Sequence, residues 1–129
     1  MTSLIMSSTF YTPQVAFHPE GNFTISGKAM TTKASVLFKP ILNWLEQYKN
    51  TPAQDTVLNL DFEILHVDCL VKLMDIFRLL ESMTKKGLQV EVNWYCEKED
   101  EDMKEIADMV SEILKALPVN KIMYEKNLA

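Results

Sequence analysis

Residues Val57–Leu65 constrain this chain more than any other segment. Leu58, Leu60, Phe62 and Ile64 alternate with Asn59, Asp61 and Glu63. Only an extended strand, whose successive side chains point to opposite faces, separates those two sets. The period then changes at once. Leu70, Leu73, Met74, Phe77 and Leu80 recur at helical spacing, and Lys85-Lys86-Gly87 supplies the cations and then the glycine that suit a helix carboxyl end. Val90, Val92 and Trp94 return to alternation. Met103, Ile106, Val110, Ile113, Leu114 and Leu117 restore the helical period up to Pro118, and Lys121 to Tyr124 can add a last short strand. Strands that alternate with helices need crossover connections, which are right-handed and lay the helices on the sheet.

The first third reads as extended. Leu4 to Phe10 is a plausible first strand, closed by Thr12-Pro13. Val15 and Phe17 alternate in a second, and His18-Pro19-Glu20-Gly21-Asn22 is turn chemistry before Phe23 and Ile25 alternate in a third. Leu37, Ile41, Trp44, Leu45 and Tyr48 then form a helical stripe. Pro40 requires that helix to start near Val36, with the proline in its first turn, or to kink. The expected fold is therefore α/β, a mixed sheet flanked by three helices in the order β-β-β-α-β-α-β-α-β. Trp44, Phe62, Phe77 and Trp94 are expected in its interior.

A chain of 129 residues fits one domain, 1–129, and an apolar fraction of 47% is ample for a packed core. The net charge of −5, with thirteen scattered basic residues, argues against nucleic acid, where affinity comes from cations neutralising phosphates. No apolar run reaches the ~20 residues needed to span a bilayer. The amino terminus lacks the basic start and long apolar stretch of a signal peptide. A soluble, cytoplasmic protein is expected, with no membrane partner. Cys69 and Cys96 have no paired spacing and are expected to pack as small hydrophobes.

Chemistry is sparse. His66-Val67-Asp68-Cys69 lies at the junction of the best strand and the second helix, where free N–H groups and the helix dipole lower a thiol's pKa. One reading makes Cys69 a nucleophile with His66 as base and Asp68 as orienter, a small cysteine-dependent enzyme. Residues so close in sequence seldom converge as a triad, and no glycine elbow accompanies them. The plainer reading has Asp68 capping the helix and Cys69 packing. Glu97, Glu99, Asp100, Glu101 and Asp102 lack the spacing and central glycine of a calcium loop, and acids at a helix start favour the dipole without a ligand. His18 and His66 form no zinc pattern, and no glycine loop cradles phosphate. No metal or cofactor is expected.

Several segments, in order, resemble the SiaC-type bacterial regulatory phosphoproteins. They are Thr12-Pro13, Phe23-Thr24-Ile25-Ser26-Gly27, the run from Phe38 to Tyr48, Met74 to Glu81, and Val92-Asn93-Trp94-Tyr95 followed by Asp100 to Glu105. The resemblance covers nearly the whole chain. It implies a fold like the STAS domains of anti-sigma-factor antagonists and a non-enzymatic partner switch. A kinase phosphorylates a threonine at the start of the helix after a central strand, a phosphatase reverses this, and the unphosphorylated form binds and activates a diguanylate cyclase.

The departures fall on the switch. The family's Asn-Thr-Ser-Ser junction is here His66-Val67-Asp68-Cys69, so the phosphoacceptor falls on Val67, which has no hydroxyl. No serine or threonine occurs between Val57 and Glu81, and the family's Ser-x-Pro-Glu after the third strand is here Ala29-Met30-Thr31-Thr32. Either Asp68 places a permanent charge of about −1 where a phosphate carries about −1.5 to −2, or the turn was rebuilt for another partner. His66, Val67, Asp68, Cys69 and Lys72 are the expected partner-binding residues, for a kinase, phosphatase or cyclase. Val67 on this view is exposed for docking; the competing view turns it inward as a plug of the core.

Overall fold

The computed structural model describes residues 1–126. Its elements are β1 (Leu4–Met6), β2 (Gln14–Phe17), β3 (Asn22–Ala29), α1 (Ala34–Tyr48), β4 (Asp55–Leu65), α2 (Val67–Thr84), β5 (Gln89–Glu97), α3 (Glu101–Ile113) and β6 (Val119–Tyr124), in the expected order. The six strands form one sheet in chain order. β1, β2 and β3 pair antiparallel, and β3 to β6 pair parallel. Each parallel strand joins beside the last one, so right-handed crossovers put every helix on the same face. That face carries Phe17, Phe23, Ile25, Leu58, Leu60, Val92 and Trp94, all fully buried. The alternate residues, among them Asn59, Asp61, Asn93 and Tyr95, stay half-buried on a face no helix covers.

A row of amides crosses that open face. Asn59 Nδ2 donates to Asn22 Oδ1 at 3.3 Å, Asn93 to Asn59 at 3.4 Å, and Asn120 to Asn93 at 3.1 Å. Parallel register aligns Asn59, Asn93 and Asn120. Just before β3, beside Asn22, Gly21 closes the turn with φ +104°, and a Cβ there would sit 2.1 Å from the Asp55 carbonyl oxygen, so only glycine fits.

Several expectations are corrected. β1 ends at Met6 rather than Phe10, because the Thr9 hydroxyl accepts from the N–H groups of Tyr11 and Thr12 and turns the chain. α1 begins at Ala34, which leaves Pro40 inside the helix. The proline deprives the Val36 carbonyl of its helical donor, but both residues are exposed, so that carbonyl is open to solvent. Ile64 does not follow Leu58, Leu60 and Phe62 inward. Gly27 pairs with Phe62 and Lys28 with Ile64, so a bulge at Glu63 shifts the phase and leaves Ile64 41% exposed. Ile113, at the end of α3, is also exposed. Phe62, Phe77 and Trp94 are buried as expected, but Trp44 is only half-buried. It packs edge-on against Phe17 and Phe23 while its indole N–H donates to Thr2 O at 2.9 Å, so the apolar body is covered and the polar tip stays at the rim.

Candidate functional site

α1 and α2 both begin at the carboxyl ends of neighbouring parallel strands, the edge where open α/β sheets present their functional residues. A single residue, His66, joins β4 to α2. Its N–H donates to Ala29 O at 2.8 Å, which extends the β3–β4 ladder to the helix start and fixes where α2 points. His66 is extended (ψ 148°) and its Nδ1 accepts from the Asp68 N–H at 3.2 Å. The cap is therefore His66 and not Asp68. A residue must lie outside the helix for its side chain to reach back to a first-turn N–H, and Asp68 already lies inside. Its carboxylate instead stands 3.7 Å from His66 Nδ1, in the first turn, where the dipole favours it.

Val67 is 62% exposed, so it does not plug the core. Cys69, expected among the partner-binding residues, has no exposed surface. It faces inward because the stripe of α2 buries Cys69, Leu73, Ile76, Phe77 and Leu80. Its thiol donates to Thr31 O at 3.7 Å, and burial first, then the Asp68 charge, push its pKa up. A nucleophile needs a lowered pKa and a base on the sulfur. Here the pKa moves the other way, and His66 is engaged with Asp68 rather than with the thiol.

Sequence reasoning missed the α1 side of this site. Thr32, Lys33, Ser35 and Val36 face Asp68, Val71 and Lys72 across an open groove of about 460 Å³. Val36 is 72% and Val71 59% exposed. The signal was available: both valines fall off the apolar stripes of their helices, so the core gives no reason for them. Lys72 is half-buried. Among the described residues neither it nor Lys33 pairs with a carboxylate.

The other acidic and histidine candidates are taken up in structure. Asp100 caps α3 by accepting from the Met103 N–H at 3.1 Å, with Glu101 and Asp102 in the first turn. His18 pairs with the Ser3 hydroxyl at 2.9 Å. Among the described residues no three His, Cys, Asp or Glu side chains gather as metal ligands, and no helix is long and apolar enough to cross a membrane.

The sequence matches the SiaC family of regulatory phosphoproteins over residues 6–124. This chain belongs to the SiaC family. A curated relative, an uncharacterised protein of Pseudomonas aeruginosa (strain UCBPP-PA14), is 24% identical over 109 residues, which are 84% of this chain and 86% of the relative. Apo-SiaC of Pseudomonas aeruginosa superposes with a TM-score of 0.85 at 22% identity, over 95% of this chain and 99% of that one. SiaC in a complex with the diguanylate cyclase SiaD, which it activates, gives a TM-score of 0.83 at 22% identity, over 94% of this chain and 99% of that one. The SiaC fold is kept over nearly the whole chain.

Proposed function

We propose that this SiaC-family chain is a cytoplasmic regulatory protein, not an enzyme, that acts by docking onto a partner protein through the starts of α1 and α2. His66, Val67, Asp68 and Lys72 form the contact surface, and Cys69 braces it from beneath. The observation that carries the reading is Val67. At the position where the family resemblance puts a phosphoacceptor, this chain holds an apolar side chain that is 62% exposed. An exposed aliphatic group at a helix start gains nothing from water and gains free energy when a partner covers it. The partner is a diguanylate cyclase, as SiaD is for the SiaC of Pseudomonas aeruginosa, or a kinase or phosphatase acting on the same surface. Phosphate on Val67 is chemically impossible, so docking is not gated at that residue.

The test is binding of the purified chain to the diguanylate cyclase of its own host. Wild type is expected to bind and to change cyclase turnover. Val67→Asp should weaken binding by about tenfold or more, as loss of a central apolar contact does, with the melting temperature unchanged. A cyclase that ignores the wild-type chain, or a Val67→Asp variant that binds as well as wild type, contradicts the reading.

A further inference from the structure

We infer that the groove between the starts of α1 and α2 selects a partner segment that carries carboxylates beside aliphatic side chains. The inference rests on the docking reading above and adds the chemistry of the occupant. The groove is lined by two exposed aliphatic side chains, Val36 and Val71, and by two lysines, Lys33 and Lys72.

The fold places these two lysines, without an ion pair among the described residues, on opposite walls of one groove. The chain carries a net charge of −5. Some of its cations are neutralised by a neighbouring carboxylate, as Lys49 is by Glu46, Lys104 by Glu101 and Lys121 by Asp108, while others, such as Lys86 and Lys115, have no ion pair among the described residues. Lys33 and Lys72 have no such partner among the described residues, and neither has Lys39, one turn beyond Val36 on α1. The start of α1 is short of negative charge in a second respect. α2 and α3 begin with a side-chain cap and acids in the first turn, whereas α1 has neither. Asp68 is the one acid lining the groove, and its carboxylate stands beside His66.

Lysines without an ion pair beside exposed valines fit an acidic, aliphatic segment. Charge complementarity then chooses the partner and its orientation while apolar burial supplies affinity. A basic segment would meet like charge on both walls.

The experiment titrates the full isotope-labelled chain with two synthetic amphipathic peptides that share one leucine pattern, one flanked by glutamates and the other by lysines. The glutamate peptide is expected to move the amide signals of Val36, Val71 and Lys72, to bind about tenfold or more tightly than the lysine peptide, and to weaken as salt rises. The double variant K33E/K72E should reverse the preference. Equal or tighter binding of the lysine peptide, signal changes confined to another face, or no binding of either peptide would overturn the inference. A second arm uses the host cyclase. If V67D loses cyclase binding while K33E/K72E keeps it, the charge assignment falls and the docking reading stands. If the glutamate peptide is selected but the cyclase does not bind, the cyclase reading falls and the groove assignment stands.

Discussion

The Cys69 thiol donates to the Thr31 carbonyl across 3.7 Å, tying the first turn of α2 to the segment that enters α1. Both helix starts that line the candidate groove are thus held together by a group with no exposed surface. The thiol packs and braces.

Reactivity provides the first test. Burial pushes up the pKa of both free cysteines, that of Cys96 to about 11. Only the thiolate is nucleophilic. An alkylating agent at neutral pH is therefore expected to label neither thiol in the native chain and both once it is unfolded. Rapid native labelling of Cys69 would restore the enzyme reading.

The same burial sets an alkaline limit. An unfolded cysteine loses its proton near pH 8.5, whereas folded Cys96 keeps it to about pH 11. Between these values the native state binds more protons than the unfolded state, so stability falls as pH rises. Below the unfolded pKa the contribution is fully present. Denaturant midpoints measured from pH 7.5 to 10.5 should decline in wild type, and the decline should be shallower in Cys96→Ala.

Much of this fold was legible because period encodes it. The alternation of Leu58, Leu60 and Phe62, and the stripe through Leu73, Phe77 and Leu80, each survive packing because one face had to be buried. What was not legible depended on partners distant in sequence. The bulge that exposes Ile64 arises from pairing with Lys28, and the rim position of Trp44 from a bond to Thr2. At the site, the resemblance located the junction on His66–Cys69, but periodicity alone could have sorted that set. Cys69 falls on the stripe of Leu73, Ile76 and Leu80, whereas Val67 and Val71 do not. Val36 likewise falls off the stripe of α1, but that it faces Val71 across a groove required the tertiary fold.

Val67→Asp separates a docking residue from a core residue without any partner present. An exposed site away from packing usually changes stability by no more than about 0.5 kcal/mol, whereas an unpaired charge forced into a core costs several kcal/mol. With Val67 62% exposed, the small value is expected from urea unfolding. The added carboxylate in the first turn of α2 also favours the dipole. A loss of about 3 kcal/mol or more would show that the side chain is buried in solution.

The amide row on the open sheet face makes a directional prediction. Asn93 both donates to Asn59 and accepts from Asn120. Asn93→Ala should cost about 0.5–1.5 kcal/mol, the net worth of hydrogen bonds at a partly exposed site. Asn93→Asp keeps the acceptor for Asn120 but, when ionised, aims charge at the Asn59 carbonyl oxygen. It should cost more than alanine at pH 7. Near pH 4, where a carboxyl begins to regain its proton and can donate again, its deficit relative to wild type at the same pH should shrink. A pH-independent deficit would mean that the amides do not act as a row.

Trp94 gives the sharpest test of the core. The ring is fully buried between Phe62 and Phe77, yet its indole N–H has no hydrogen-bond partner among the described residues. Leaving a buried donor unpaired costs about 1–3 kcal/mol. Trp94→Phe removes that cost while opening a small cavity, so the two effects oppose each other and the net change should stay within about 1 kcal/mol. Trp94→Ala removes the whole ring and should lose about 3–5 kcal/mol, because nothing offsets the larger cavity. Trp44, the remaining tryptophan of the two in the chain, reports unfolding by fluorescence in both variants. If Trp94→Phe proves nearly as damaging as Trp94→Ala, the N–H is satisfied in solution, and a buried water beside β5 becomes the group to look for.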